Sequence, residues 1–268
     1  DIAGAVEPEL AEGEDEDTLG AGDQGVMVGY ACNETPEYLP MPVVAAQRLV
    51  TLLEISRMTG VIPDIGPDGK VQVTMEYNGD TPVRITTVVV SVQHKEDIDM
   101  DKLADLLDEY VFLLAFDGMP ADDAEIILNP SGKFVQGGPD ADTGLTGRKL
   151  MVDSYGTFAP HGGGAFSGKD ATKVDRSGAY MARYIAKNMV AAHLADRCQV
   201  TLAYAIGEKD PVMVDVNTFG TGICEDDCLA AAVRKAYDLT PAGIIKQLNL
   251  LNPIYSRTAA GGHFGRED

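Results

Sequence analysis

Residues 71–93 read VQVTMEYNGDTPVRITTVVVSVQ and predict a β-hairpin. Apolar and polar residues alternate over 71–77, Asn78-Gly79-Asp80 forms a tight turn, and a β-branched, alternating run follows over 83–93. Alternation with a period of two places every second side chain on the same face, so one face of this hairpin is expected to be buried. Three consecutive valines at 88–90 cannot share one face, so we expect both faces of that strand to be covered.

Helices are predicted on both sides of this hairpin, and the second half of the chain repeats the pattern. Residues 42–58 are predicted to form an amphipathic helix with Pro42 in its first turn. Asp99 can cap a second helix that ends near Gly118. Further on we predict a strand at 149–154, a helix at 175–195, a second hairpin at 199–206 and 212–219, a helix at 225–237, and a helix capped by Thr240. The predicted fold class is α+β, with two similar units and a boundary near residue 136.

Composition excludes several classes of protein. The chain has 268 residues with 21 Lys and Arg against 42 Asp and Glu, and a net charge of −21 disfavours binding to a nucleic-acid backbone. Its longest apolar run, residues 111–116, is too short to span a membrane. The four cysteines are too sparse for a disulfide framework, and Cys224 and Cys228 have no third or fourth zinc ligand nearby. With no secretory signal pattern at its start, the chain is predicted to be cytoplasmic.

Charge is unevenly distributed along the chain. Seven acids lie between residues 7 and 17, where apolar residues are scarce, so residues 1–17 are predicted to be an acidic mobile loop. In contrast, eight of the 21 basic residues lie between residues 133 and 187. They could form a solvated face that balances the acidic excess, but several of them are interleaved with glycines, which favours a site for an anion.

The segment HGGGAFSGKD at 161–170 is the strongest candidate for that site. Gly163 and Gly168-Lys169 have the spacing of a phosphate-binding P-loop, but Asp170 stands where that loop needs Ser or Thr, so it is not a Walker motif. The shared physics still applies, because glycines let backbone N–H groups approach an anion and a lysine adds positive charge. Asp175 lies near the start of the predicted helix, whose dipole also favours an anion.

Two other glycine-rich segments, GAGDQG at 20–25 and GGPDADTGLTGRK at 137–149, are by themselves typical of turn-rich loops. Together with GGGAFSGKDATKVDRS at 162–177 and HFGRE at 263–267, they closely resemble the methionine adenosyltransferase, or S-adenosylmethionine synthetase, family. The resemblance runs almost continuously from Thr18 to Glu267.

The resemblance implies a fold of three similar α+β domains related by pseudo-threefold symmetry. The chain resembles the central domain at 18–135 and the C-terminal domain at 136–268, while the family's N-terminal domain is absent from it, and residues 1–17 correspond to the family's active-site loop. The resemblance also implies a homodimer with shared active sites, in some members paired into a tetramer, and we expect the apolar hairpin faces to pack across it. Two Mg²⁺ ions per site and K⁺ are implied, with their main ligands in the N-terminal domain.

The activity implied by the resemblance is attack of the sulfur of L-methionine on C5′ of ATP, followed by hydrolysis of the released tripolyphosphate to pyrophosphate and phosphate. By family position, the catalytic cations are Lys169, Arg148 and Lys70. The implied ATP-binding residues are Asp68, Lys70, Lys133, Phe134, Asp142, Arg148, Lys149, Ala165 and Lys169. The implied methionine-binding residues are Asp23, Asp142 and Lys173, and Asp175 is the implied magnesium ligand.

Two departures from the family pattern and two rival interpretations remain. Lys133 stands where many relatives have arginine, and Gly178 replaces an alanine inside a helix.

The main rival is an inactive nucleotide-binding fragment or regulatory subunit of the same family. A generic ATP-dependent kinase is disfavoured because Walker and kinase signatures are missing. Among the histidines, which we otherwise expect to be structural, His161 is the one expected to touch the site.

Overall fold

A computed structural model describes residues 20–266, and the predicted acidic loop at 1–17 lies outside the described residues. The α-helices and β-strands of these residues are, in chain order, β1 (Gly25–Cys32), α1 (Met41–Thr59), β2 (Ile65–Asn78), β3 (Thr81–His94), α2 (Met100–Leu107), α3 (Leu113–Ala115), β4 (Glu125–Leu128), α4 (Leu150–Asp153), α5 (Val174–Ala191), β5 (Arg197–Tyr204), β6 (Met213–Asn217), α6 (Asp226–Ala236) and α7 (Pro241–Gln247). The α+β class is confirmed. Within the described residues, no helix is long and apolar enough to cross a bilayer.

Residues 41–145 form one compact unit around a sheet with strand order β2-β3-β4. Strands β2 and β3 are antiparallel and confirm the predicted hairpin, while β4 adds to β3 in parallel. Helices α1 and α2 cover one face, where Val88, Val90, Leu49 and Leu107 are completely buried. Val89 points to the opposite face and is partly exposed, as the alternation of side chains along a strand requires.

The helix after β3 begins as predicted. The Asp99 carboxylate accepts hydrogen bonds from the backbone N–H groups of Asp101 and Lys102, at 3.1 and 3.2 Å. The predicted helix is not uniform, however, because a π-helical turn at Asp108–Phe112 separates α2 from α3. A π turn shifts the side chains after it by a fraction of a turn, which apolar spacing alone does not reveal.

Residues 20–40 and 146–266 form the other compact unit, with strand order β1-β5-β6. Strands β5 and β6 confirm the second predicted hairpin, and β1, which we did not predict, pairs antiparallel with β5 from Gly25 opposite Tyr204. Helix α5 packs across β1 so closely that a Cβ at Gly29 would lie 2.0 Å from the carbonyl carbon of Ala182. Glycine at this position therefore allows the backbones of strand and helix to touch.

The remaining local predictions have mixed outcomes. The predicted strand at 149–154 is wrong, since residues Leu150–Asp153 form the short helix α4. Helices α6 and α7 are confirmed, and the Thr240 hydroxyl accepts the N–H of Gly243 at 3.0 Å, as expected of an N-cap. In the structure, residues 20–40 belong to the same compact unit as residues 146–266. The domain boundary near residue 136 stays a prediction.

Candidate functional site

The glycine-rich loop at 161–170 lies against β1 and the first turn of α5. A Cβ at Gly162 would lie 1.6 Å from the carbonyl oxygen of Val26, and a Cβ at Gly164 would lie 2.1 Å from Oδ1 of Asp175. Gly163 has a φ of +97°, a conformation that residues with a Cβ rarely adopt. Each of the three consecutive glycines is therefore required for a different steric reason.

A tight turn at residues 166–169 carries the lysine of the loop. The Lys169 N–H donates to the carbonyl oxygen of Phe166 at 3.2 Å, and Gly168 has a φ of +87° at the third position of the turn. A positive φ at this position is typical of a type II turn and favours glycine. The turn fixes where the Lys169 side chain leaves the backbone.

Lys169 and Asp175 form a short ion pair in which Nζ lies 2.5 Å from Oδ2. The Asp175 side chain is 11% exposed and that of Lys169 is 33% exposed. Asp175 lies in the first turn of α5, where the helix dipole stabilises a negative charge. The pair thus fixes the position of the Lys169 ammonium at the edge of the glycine-rich loop.

Arg176 connects this turn to the C-terminal segment. Its Nη1 donates to the carbonyl oxygen of Lys169 at 2.8 Å and its Nη2 to Oγ1 of Thr258 at 2.9 Å. Its Nε donates to the hydroxyl of Tyr180 at 3.1 Å, and its guanidinium lies 4.3 Å from the ring centre of Tyr255. Arg176 is only 4% exposed, so it acts as a buried structural cation that holds the turn against α5.

His263, from the HFGRE segment, bonds to the same loop. Its Nε2 lies 3.0 Å from Oγ of Ser167 and its Nδ1 lies 2.6 Å from the hydroxyl of Tyr180. Burial, followed by the charges of Arg176 and Arg266, lowers the pKa of His263 to about 4. The imidazole is therefore neutral near pH 7, and it accepts at one nitrogen and donates at the other.

His161 adjoins the same loop, at a small pocket that Asp175 also lines. Its Nδ1 accepts the N–H of Gly163 at 2.8 Å, and its ring centre lies 5.4 Å from that of Phe166. Burial lowers the pKa of His161, while the charges of Asp153 and Asp175 oppose that shift. Its Nε2 is buried and has no hydrogen-bond partner within the described residues.

The other predicted residues of this unit differ in their exposure. The Asp23 carboxylate is exposed and accepts the N–H of Gln24 at 2.8 Å. Lys173 directly precedes α5, and its Nζ donates to Oγ1 of Thr172 at 3.1 Å. Ala165 is half-buried beside Gly147, and both Arg148 and Lys149 are exposed.

Three of the predicted residues of the unit at 41–145, Asp68, Lys133 and Phe134, lie near the end of β3. Oδ2 of Asp68 accepts the N–H of Gly138 at 2.7 Å, which ties the loop after β4 to β2. The N–H of Phe134 donates to Nε2 of His94 at 3.1 Å, and Lys133 Nζ donates to the carbonyl oxygen of Glu96 at 2.8 Å. The two other predicted residues of this unit, Lys70 and Asp142, are exposed.

Comparison with protein-family models gives two adjoining matches. Residues 18–134 match the model described as S-adenosylmethionine synthetase, central domain. Residues 136–268 match the model described as S-adenosylmethionine synthetase, C-terminal domain. The chain belongs to the S-adenosylmethionine synthetase family. The resemblance of its glycine-rich motifs to this family is thereby confirmed.

Mg²⁺ and K⁺ are general requirements of S-adenosylmethionine synthetases, but the residues at 20–266 do not form a metal site by themselves. No group of three His, Cys, Asp or Glu side chains within this range could hold a metal ion. Asp175, the predicted magnesium ligand, instead contacts the Lys169 ammonium. A single carboxylate already paired with a cation is a poor metal ligand set. The role of Asp175 at a metal stays a prediction.

Sequence reasoning missed one set of residues in this chain. Hydrogen bonds join Ser167 to His263, His263 to Tyr180, and Tyr180 to Arg176. Their contacts join parts of the chain separated by as many as 96 residues. The HFGRE and GGGAFSGKD segments were both recognisable as family motifs. Nothing in either segment indicated that the histidine of one contacts the serine of the other.

Proposed function

We propose that the protein synthesises S-adenosylmethionine from ATP and L-methionine. In this reaction the methionine sulfur forms a bond to C5′, the C5′–O bond breaks, and tripolyphosphate leaves with the electron pair. The sulfur becomes a sulfonium, and water then hydrolyses tripolyphosphate to pyrophosphate and phosphate. The observation that carries the proposal is the Lys169–Asp175 ion pair at the edge of the glycine-rich loop.

The chemistry explains why cations matter more than a general base. A thioether sulfur has no proton to lose, so catalysis depends on aligning sulfur with C5′ and on stabilising charge on the leaving group. Lys169 would supply positive charge to the polyphosphate, and Asp175 would hold the ammonium in place. Arg148, Lys149 and Lys70 would contact other phosphate oxygens. Asp23, Asp142 and Lys173 would bind methionine. Asp142 would also contact ATP, together with Asp68, Lys133, Phe134 and Ala165.

We propose that the protein is a homodimer, since S-adenosylmethionine synthetases oligomerise. The apolar face of the β2-β3 hairpin, which we expected at the interface, is instead buried under α1 and α2 of its own unit. The opposite face carries Gln72 beside Val89 and Thr74 beside Thr87, so the surface offered to a second copy is mixed rather than apolar. Sedimentation at nanomolar concentration tests this proposal: we expect a dimer, and a stable, active monomer would contradict it.

A product assay tests the enzymatic proposal. Purified protein is incubated with ATP, L-methionine, Mg²⁺ and K⁺, and the sulfonium product is separated by chromatography. We expect Lys169→Met to lower kcat on the order of 100-fold, with a smaller effect on methionine affinity, because a charge that meets the departing phosphates acts mainly in the transition state. Lys235→Met, at an exposed position near the end of α6, removes the same charge and should leave turnover unchanged.

Two outcomes would contradict this proposal. A weaker affinity of Lys169→Met with turnover intact would remove the assigned role from Lys169. ATP binding by the wild-type protein without any sulfonium product would support the rival interpretation, a nucleotide-binding fragment or regulatory subunit.

A further inference from the structure

A chain of four side chains runs from the buried Arg176 to the glycine-rich loop, and we refer to Arg176, Tyr180, His263 and Ser167 as the relay. The Nε of Arg176 donates to the Tyr180 hydroxyl, which contacts Nδ1 of His263, whose Nε2 contacts Oγ of Ser167. The successive distances are 3.1, 2.6 and 3.0 Å. All three are ordinary hydrogen-bond lengths.

The relay has a direction because its first member can only donate. A guanidinium has five N–H groups and no acceptor, so Arg176 occupies a lone pair of the Tyr180 oxygen. The tyrosine proton is then free to point at Nδ1 of His263. The 2.6 Å separation of these atoms is typical of an O–H donor.

The direction continues through the histidine. A neutral imidazole that accepts at Nδ1 carries its proton on Nε2, so His263 donates to Oγ of Ser167. The opposite arrangement would make Tyr180 accept from both Arg176 and His263 and would leave the tyrosine proton without an acceptor in the relay. Matched donors and acceptors favour the direction from Arg176 to Ser167.

Ser167 therefore keeps its own hydroxyl proton for another acceptor. Among residues 20–266, His263 is the hydrogen-bond partner found for the Ser167 hydroxyl. Ser167 is the second residue of the turn at 166–169, which also carries Lys169. A hydroxyl that accepts from His263, and whose proton meets no other acceptor among residues 20–266, is suited to donate to a ligand that only accepts, such as a phosphate oxygen.

We infer that Ser167 is a substrate-contacting residue whose hydroxyl donates a hydrogen bond to a polyphosphate oxygen, and that Tyr180 and His263 position it. This inference rests on the proposed function, because it takes the polyphosphate of ATP as the ligand. Tyr180 and His263 act through Ser167 and do not touch the substrate. The relay fixes both where the serine oxygen lies and which way its proton points.

Binding of inorganic tripolyphosphate, measured by calorimetry on the purified protein, tests the contact. Ser167→Ala should raise Kd about tenfold, as expected for one hydrogen bond to a charged group. Tyr180→Phe should cause a smaller loss, because His263 remains but its tautomer is no longer fixed. Tyr184→Phe is the matched control, since Tyr184 lies one turn further along α5, is 45% exposed, and should leave Kd unchanged.

The tautomer of His263 provides an independent measurement that a general loss of stability would not change. In protein labelled with ¹⁵N-histidine, we expect NMR to show His263 neutral with the proton on Nε2, and Tyr180→Phe to shift it toward the other tautomer. A proton on Nδ1 in the wild-type protein would overturn the direction of the relay. An unchanged Kd in Ser167→Ala would overturn the contact while the proposed function stands, whereas a wild-type protein that neither binds tripolyphosphate nor forms product would overturn both.

Discussion

Gly164→Ala should disrupt the candidate site through a single steric conflict. The new Cβ would lie 2.1 Å from Oδ1, 2.4 Å from Cγ and 2.8 Å from Cβ of Asp175, all far closer than the 3.4 Å at which ordinary contact begins. Rotating the Asp175 side chain would relieve the first two contacts, but it would also move Oδ2 away from Lys169 Nζ. The conflict at Cβ would remain, so the loop and α5 must also separate.

The expected cost has a structural part and a functional part. Overpacking a buried contact destabilises a protein by about 1–3 kcal/mol, so the free energy of unfolding in urea should fall by this amount. Loss of a positioned cation at the leaving group should lower kcat on the order of 100-fold. Both quantities can be measured on the same preparation, by urea denaturation and by chromatography of the sulfonium product.

A double-mutant cycle tests whether Asp175 causes the cost. Asp175→Ala removes Oδ1 and Cγ, so Gly164→Ala should destabilise this variant by at least about 1 kcal/mol less than it destabilises the wild type. Gly163→Ala is the control within the loop, because a Cβ there meets no atom within 4 Å and its cost comes only from a φ of +97°. An equal cost of Gly164→Ala in both backgrounds would refute the steric reasoning.

Three further predictions concern other residues. N-ethylmaleimide should modify the exposed Cys224 and Cys228 before the buried Cys32 and Cys198, because burial raises the pKa of each buried thiol to about 12. Peptide mass mapping measures the order of modification, and the reverse order would contradict this prediction. Gly178→Ala should raise the free energy of unfolding in urea by up to about 1 kcal/mol, because alanine has the higher helix propensity and the new Cβ meets only side-chain atoms, at 3.3 Å or more. A loss of stability would show that these side chains cannot move to accommodate the Cβ. The pKa of His263 is lowered to about 4 in the folded protein, so the unfolded state binds a proton more readily and the free energy of unfolding should decrease as pH falls from about 7 to about 4. His263→Gln should reduce this pH dependence, and identical curves of unfolding free energy against pH for the two proteins would contradict the prediction.

Elements with a local signal could be predicted from the sequence. The hairpin at 71–93 carries its own alternation and its own turn, and both are contained within 23 residues. The caps at Asp99 and Thr240 form hydrogen bonds with N–H groups two or three residues away. Such elements are specified by neighbours in the chain, so a short stretch of sequence is sufficient to identify them.

Strand β1 and helix α4 show where this local reasoning fails. Six of the eight residues of β1 are buried, so the strand lacks the alternation that marks a half-exposed strand. Its partner β5 lies more than 160 residues further along the chain. In α4, four helical residues at Leu150–Asp153 are too few to show a helical period, and the apolar run within them is equally compatible with a strand.

The candidate site was predictable to the extent that it is local. Residue types and spacing were sufficient to select the glycine-rich loop and Lys169 as a candidate anion site, which stays a prediction. The contact between Lys169 and Asp175, six residues apart, depends on a turn followed by the start of a helix. The relay could not be predicted, because Ser167 meets His263 only after the C-terminal segment has folded against α5.

Each of the three consecutive glycines of this loop meets a different physical constraint. Gly162 is held against the backbone of β1, Gly164 against the carboxylate of Asp175, and Gly163 provides the backbone conformation that joins these two close approaches. A flexible loop would lose conformational entropy each time it bound an anion. Because β1, α5 and the relay each fix one part of it, we expect the loop to be ordered before a substrate binds. Electrostatic stabilisation of a leaving group requires this preorganisation, since donors that must first reorient contribute less to the transition state.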